Sequence, residues 1–160
     1  MRTTLAAFIA AALALALPAA AADDLTGPAT VIDGETLQVA GAPLRLAGID
    51  APEPEQRCRR AGRALDCGQI AASQLADITA GATVVCRPAG PVRAGARLAT
   101  CNADGYDLSY GMVYAGWAFA DGSPYRSAES EARSARRGIW AYDFVPPSEW
   151  RAGRRLLESE

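Results

Sequence analysis

The chain has 160 residues, with 18 acidic and 16 basic side chains and no histidine; every basic residue is arginine. The lack of histidine excludes Ser-His-Asp and Cys-His nucleophiles, His-ligated zinc and histidine-based nuclease chemistry. Any catalysis falls to carboxylates, arginines, a metal or a cysteine, and a net charge of −2 argues against a broadly basic surface while leaving room for a local basic cleft.

Residues 1–22 read as a secretory signal. Arg2 gives a positive start, Leu5–Leu17 is an apolar run too short to span a bilayer, and Pro18 with Ala19–Ala22 offers a cleavage site before Asp23. Residues 23–160 then make a single domain. Gly27–Ile32 is apolar and β-branched, a first strand. Asp33-Gly34 signals a turn. Thr36–Val39 alternates as a second strand, Gly41 opens another turn, and Leu44–Ile49 is the third strand. Arg45 sits between Leu44 and Leu46, so it faces away from whatever its neighbours pack on. The run ends in Asp50-Ala51-Pro52-Glu53, where Pro52 stiffens the corner that carries two carboxylates.

Residues 54–68 crowd Arg57, Arg59, Arg60 and Arg63 between Cys58 and Cys67, an irregular loop read either as solvated or as a nucleic-acid contact. Ile70–Ile78 has helical spacing, ended by Gly81. Ala82–Cys86 is a fourth strand, Pro88–Gly95 a polar loop, and Ala96–Ala103 a fifth strand ending at the Asp104-Gly105 turn. Leu108–Ala115 and Ser127–Arg137 are helical, the second ended by Gly138. Ile139, Trp140, Phe144 and Trp150 fold back over the core, and 151–160 is a frayed tail. Five strands with a helix between the third and fourth, then two more helices, predict an α+β fold: a five-stranded OB-fold-like β-barrel with about three helices.

Four cysteines allow three pairings. Cys58–Cys67 and Cys86–Cys101 are preferred because each closes a local loop. The second spans the hairpin of the fourth and fifth strands, a constraint of about 3 kcal/mol in the chain-entropy model. Disulfides point to an oxidising compartment.

Three segments together, Val31–Thr36 (VIDGET), Arg45–Glu53 (RLAGIDAPE) and Ala96–Cys101 (ARLATC), resemble the staphylococcal nuclease (thermonuclease) family, and the likeness extends from about Gly27 to Trp140. The resemblance implies a calcium-dependent nuclease that hydrolyses DNA and RNA by metal-assisted water attack and leaves 3′-phosphates. It would be a monomer, periplasmic or secreted, with no membrane association after signal removal. It also implies roles: Glu35 and Asp50 as carboxylate ligands of Ca2+, Ala51 as a main-chain ligand, Glu53 as general base, and Arg45 and Arg97 as the arginines on the scissile phosphate. Asp33 reads as metal-associated or simply as a turn former. Three departures stand out. Glu35 replaces the family's usual aspartate. Arg93-Ala94-Gly95-Ala96 lacks the usual Asp-x-Tyr-Gly. No tyrosine lies in Asp121–Pro124, which leaves Tyr125 as the candidate substrate-binding ring. The alternative reading is a catalytically weak OB-fold module that binds nucleic acid or a protein partner.

Overall fold

The structure is a computed structural model and describes residues 23–156; the expected signal segment lies outside them, as does the end of the expected tail. Its centre is a curled sheet of seven short strands. In chain order these are β1 (Leu25–Gly27), β2 (Ala29–Val31), β3 (Thr36–Val39), β4 (Ala42–Leu46), β8 (Val84–Arg93), β9 (Ala96–Ala103) and β10 (Tyr106–Asp107). The strands run β1-β8-β9-β4-β3-β2 across the sheet, with β10 beside β9. Two small pairs lie outside it: β5 (Ile49–Asp50) with β11 (Phe119–Ala120), and β6 (Cys58–Arg60) with β7 (Arg63–Leu65). The helices are α1 (Cys67–Thr79), α2 (Leu108–Tyr114), α3 (Arg126–Ser134) and α4 (Pro147–Arg151), with a 3₁₀ turn at Gly138–Ala141. This is the expected α+β, OB-fold-like architecture, with one helix more than the periodicity indicated.

The sheet curls around a core that includes Leu37, Leu44, Leu46, Leu75, Met112 and Val113, all essentially inaccessible to solvent. Alternation delivers these residues: Leu37 and Val39, then Leu44 and Leu46, point inward while their neighbours do not. A second cluster forms where Ile139 and the Cys58–Cys67 disulfide meet Trp117, Phe119, Trp140 and Phe144. Cys86 and Cys101 are paired across β8 and β9. No helix among the described residues is long and apolar enough to cross a membrane.

Three local expectations change. The first strand is two, β1 and β2, interrupted at Pro28, whose ring removes a ladder donor. The polar stretch after Cys86 is not a loop. β8 runs on to Arg93 with an irregularity between Pro88 and Val92, and the chain turns at Ala94-Gly95, both residues left-handed (φ 49° and 83°). That conformation matches the twist of a tight hairpin. The cystine-bracketed loop contains a regular hairpin, β6–β7, with Cys58 opposite Leu65.

Candidate active-site cleft

The Asp33–Thr36 turn presents Glu35 beside Arg45. The Asp33 carboxylate accepts the Glu35 amide (2.9 Å), and the Ile32 amide donates to the Thr36 carbonyl. Gly34 serves by its size: a Cβ there would lie 2.8 Å from the Ala71 methyl and 2.9 Å from that of Ala51. The turn is thereby seated on α1 and on the Asp50–Glu53 corner. Pairing of Thr36 with Arg45 across β3–β4 then sets the guanidinium next to the acid. Arg45 Nε lies 2.8 Å from Glu35 Oε1, yet its N–H is not aligned on that oxygen and remains a buried donor without a hydrogen bond.

The other Glu35 oxygen accepts the Ala51 amide at 3.0 Å. Glu35 is mostly buried, its side chain 14% exposed. That burial raises its pKa to about 7, outweighing the Ala51 amide and Arg45, and the Asp50 charge pushes it the same way.

Asp50 is held by pairing with Phe119 across β5–β11. The corner beyond it is fixed from inside. Fully buried Gln56 accepts the Glu53 amide through Oε1 (3.2 Å) and donates through Nε2 to the Val145 carbonyl (2.6 Å). Gly68, at the start of α1, comes so close to the Glu53 carbonyl that any side chain would collide with it.

Arg151, expected in a frayed tail, is the last residue of α4 and closes the site. Its guanidinium grips Asp50 with two parallel bonds (2.8 and 2.9 Å) and donates to Glu53 Oε1 (2.7 Å). These bonds raise the Arg151 pKa. The signal for α4 is legible in Pro146-Pro147-Ser148-Glu149-Trp150: a proline at the first helical position and an acid in the first turn.

One cleft of about 490 Å³ gathers Glu35, Arg45, Glu53, Arg93 and Arg151. Arg97 is not among the residues lining it. In the parallel β4–β9 pairing Arg97 lies beside Leu44, and Leu98 beside Arg45. Arg97 is exposed and lines an adjoining cleft with Pro88 and Val92, which shares Pro43 and Gly95 with the first. The β9 residue that faces the carboxylates is Ala96, and the guanidinium on that side comes from Arg93. Tyr125 also stands apart: its hydroxyl donates to Asp107 (2.9 Å), and its ring packs where a side chain at Gly48 would be.

Glu35, Asp50 and the Ala51 carbonyl are hard oxygen donors of the kind calcium takes. The fit has one condition. Both Asp50 oxygens are engaged by Arg151, and no group of three acids converges among the described residues, so a cation there requires Arg151 to withdraw.

The chain matches the family described as staphylococcal nuclease homologue over residues 43–142, a span that includes Arg45, Asp50 and Glu53 and leaves out Glu35 and Arg151. It is also similar to the succinoglycan biosynthesis protein ExoI of Rhizobium meliloti (strain 1021). The two are 37% identical over 139 residues, covering 82% of this chain and 73% of that protein.

Proposed function

This chain belongs to the staphylococcal nuclease homologue family, and on that premise we propose that it is an exported calcium-dependent nuclease acting on DNA and RNA. The observation that carries the reading is the convergence of Glu35, Arg45 and Glu53 on one cleft, with Asp50 tied to Glu53 through Arg151. Arg45 lines the cleft with its side chain 39% exposed, and a guanidinium holds phosphate with paired bonds. Arg93 is better positioned than Arg97 to supply the second guanidinium. Glu53, once released by Arg151, takes the proton of the attacking water. The P–O5′ bond breaks, leaving a 3′-phosphate and a 5′-hydroxyl that takes a proton from solvent. Glu35, Asp50 and the Ala51 carbonyl would hold calcium, which supplies charge neutralisation at the phosphate. Two disulfides and the signal-like leader support export to the periplasm or beyond it; a monomer is the simplest assembly.

The test is digestion of single-stranded DNA and RNA by the purified chain, with calcium and with chelator, beside Glu53→Gln. Calcium-dependent cleavage that disappears in the variant supports the enzyme. Absent cleavage, or cleavage indifferent to Glu53, sinks it. A second reading, a catalytically weak binding module, draws support from Arg151 seated on both carboxylates and from Arg97 outside the lining of their cleft. The relative's role in succinoglycan biosynthesis widens the partners such a module would take.

A further inference from the structure

The cystine-closed hairpin carries a charge pattern that the carboxylate cleft does not use. Arg57 is neutralised by Asp66 (3.1 Å). Arg59, Arg60 and Arg136 line a cleft of about 520 Å³ in which, among the described residues, Asp143 is the one acid. No carboxylate lies within ion-pair distance of Arg60 or Arg136 among the described residues. The walls are fixed. Arg59 and Asp143 exchange backbone hydrogen bonds (2.9 and 2.8 Å), the Cys58–Cys67 disulfide closes the hairpin, and the Arg60 guanidinium lies over the Tyr142 ring, 5.6 Å from its centroid.

This cleft continues into a neighbouring one of about 610 Å³ that shares Arg59 and Asp143 and adds Arg154, Arg155 and Glu149. Glu149 is matched by Arg154 (2.8 Å). Arg155 lies 3.6 Å over the Trp150 ring, and Trp150 adjoins Arg151, whose guanidinium reaches Asp50 and Glu53. Among the described residues, five arginines and two acids thus line a groove in a chain whose net charge is −2. Guanidiniums interleaved with aromatic rings suit flexible phosphodiester strands: the cations take phosphates and the rings offer flat faces to unstacked bases.

We propose that the groove lined by Arg59, Arg60, Arg136 and Arg155, with Tyr142 on its wall and Trp150 backing Arg155, binds single-stranded nucleic acid and leads it past α4 to the carboxylate cleft. The proposal deepens the nuclease reading and rests on it only for the direction of the strand. Binding itself is tested in chelator, where cleavage plays no part.

The experiment measures anisotropy of a labelled 20-nucleotide oligothymidylate across a salt series. It compares the wild-type chain, Arg60→Gln/Arg136→Gln, Arg60→Lys/Arg136→Lys, and a control with equal charge loss elsewhere, Arg87→Gln/Arg126→Gln. All four positions are exposed, so the fold is retained. Every phosphate deprived of its arginine lowers the salt slope by about 0.7 on a single strand, so the glutamine pair should flatten it by about 1.4. It should also weaken binding roughly tenfold, a loss worth about 1.4 kcal/mol, with the lysine pair recovering most of the slope and the control losing little. A glutamine pair no worse than the control overturns the proposal. So does a wild-type chain that binds no oligonucleotide. Binding that depends on the groove in a chain that cleaves nothing upholds the track and sinks the nuclease reading.

Discussion

Replacing Arg151 by glutamine isolates the interaction on which the site's chemistry turns. The wild-type guanidinium makes three charge-assisted bonds, two to Asp50 and one to Glu53, at 2.7–2.9 Å. Two unit charges about 4 Å apart attract by about 4 kcal/mol at an effective dielectric of 20. Arg151 is 44% exposed and Glu53 30%, so solvent screening and side-chain entropy reduce the net worth to about 1–1.5 kcal/mol. A divalent cation at Asp50 must displace this interaction, and 1.4 kcal/mol is a factor of ten in affinity. Arg151→Gln should therefore bind calcium about tenfold more tightly by calorimetry and reach half-maximal cleavage at lower calcium. In chelator its melting temperature should fall by about 4 °C, as a loss of about 1 kcal/mol implies for a domain of this size. Calcium affinity that is unchanged or weaker in the variant would refute the reasoning, because Arg151 would then support the site and not compete with its cation.

Glu35 predicts a pH dependence. Its pKa is raised from 4.5 to about 7 in the folded chain, so the folded state binds the proton more tightly. Stability from this group is complete below about 4.5 and is lost as pH rises toward 7, by up to roughly 3 kcal/mol. Denaturant midpoints in chelator should show the decline, and Glu35→Gln should abolish it. Gly68→Ala forces a methyl against the Glu53 carbonyl; it should cost about 1–3 kcal/mol as overpacking does, seen in urea melts, and should reduce cleavage by displacing Glu53. Arg93→Ala should lower kcat/KM by at least about tenfold, while Arg97→Ala, on the other cleft, should stay within about threefold; the reverse order in steady-state kinetics would return the phosphate to Arg97.

Much of the site is legible in the sequence because it lies in short local patterns. Period-two alternation places Arg45 on the face opposite Leu44 and Leu46, and Asp33-Gly34 marks the turn that carries Glu35. The proline corner fixes the spacing of Asp50 and Glu53. Arg97 shows where such local patterns stop. A strand pattern says that neighbours alternate, but which face meets the carboxylates depends on the parallel β4–β9 register and on the irregularity in β8, and both are long-range. The same holds for Gln56, whose bond to Val145 spans 89 positions, and for Gly68, which reads as an ordinary helix residue until the Glu53 carbonyl is set against it.

By itself the sequence determined the chemistry available: carboxylates and arginines, with histidine absent, on a small sheet pinned by cystines. It also determined the curled α+β fold, because apolar periodicity and turn residues act within a few positions of one another. Only the tertiary structure decided which charges meet. Arg151 reaches Asp50 across 101 positions, and the hairpin arginines join Arg136 and Arg155 in one groove because the chain end folds back along them. Ion pairs have no period in sequence; they follow from where the packed core sets each backbone down.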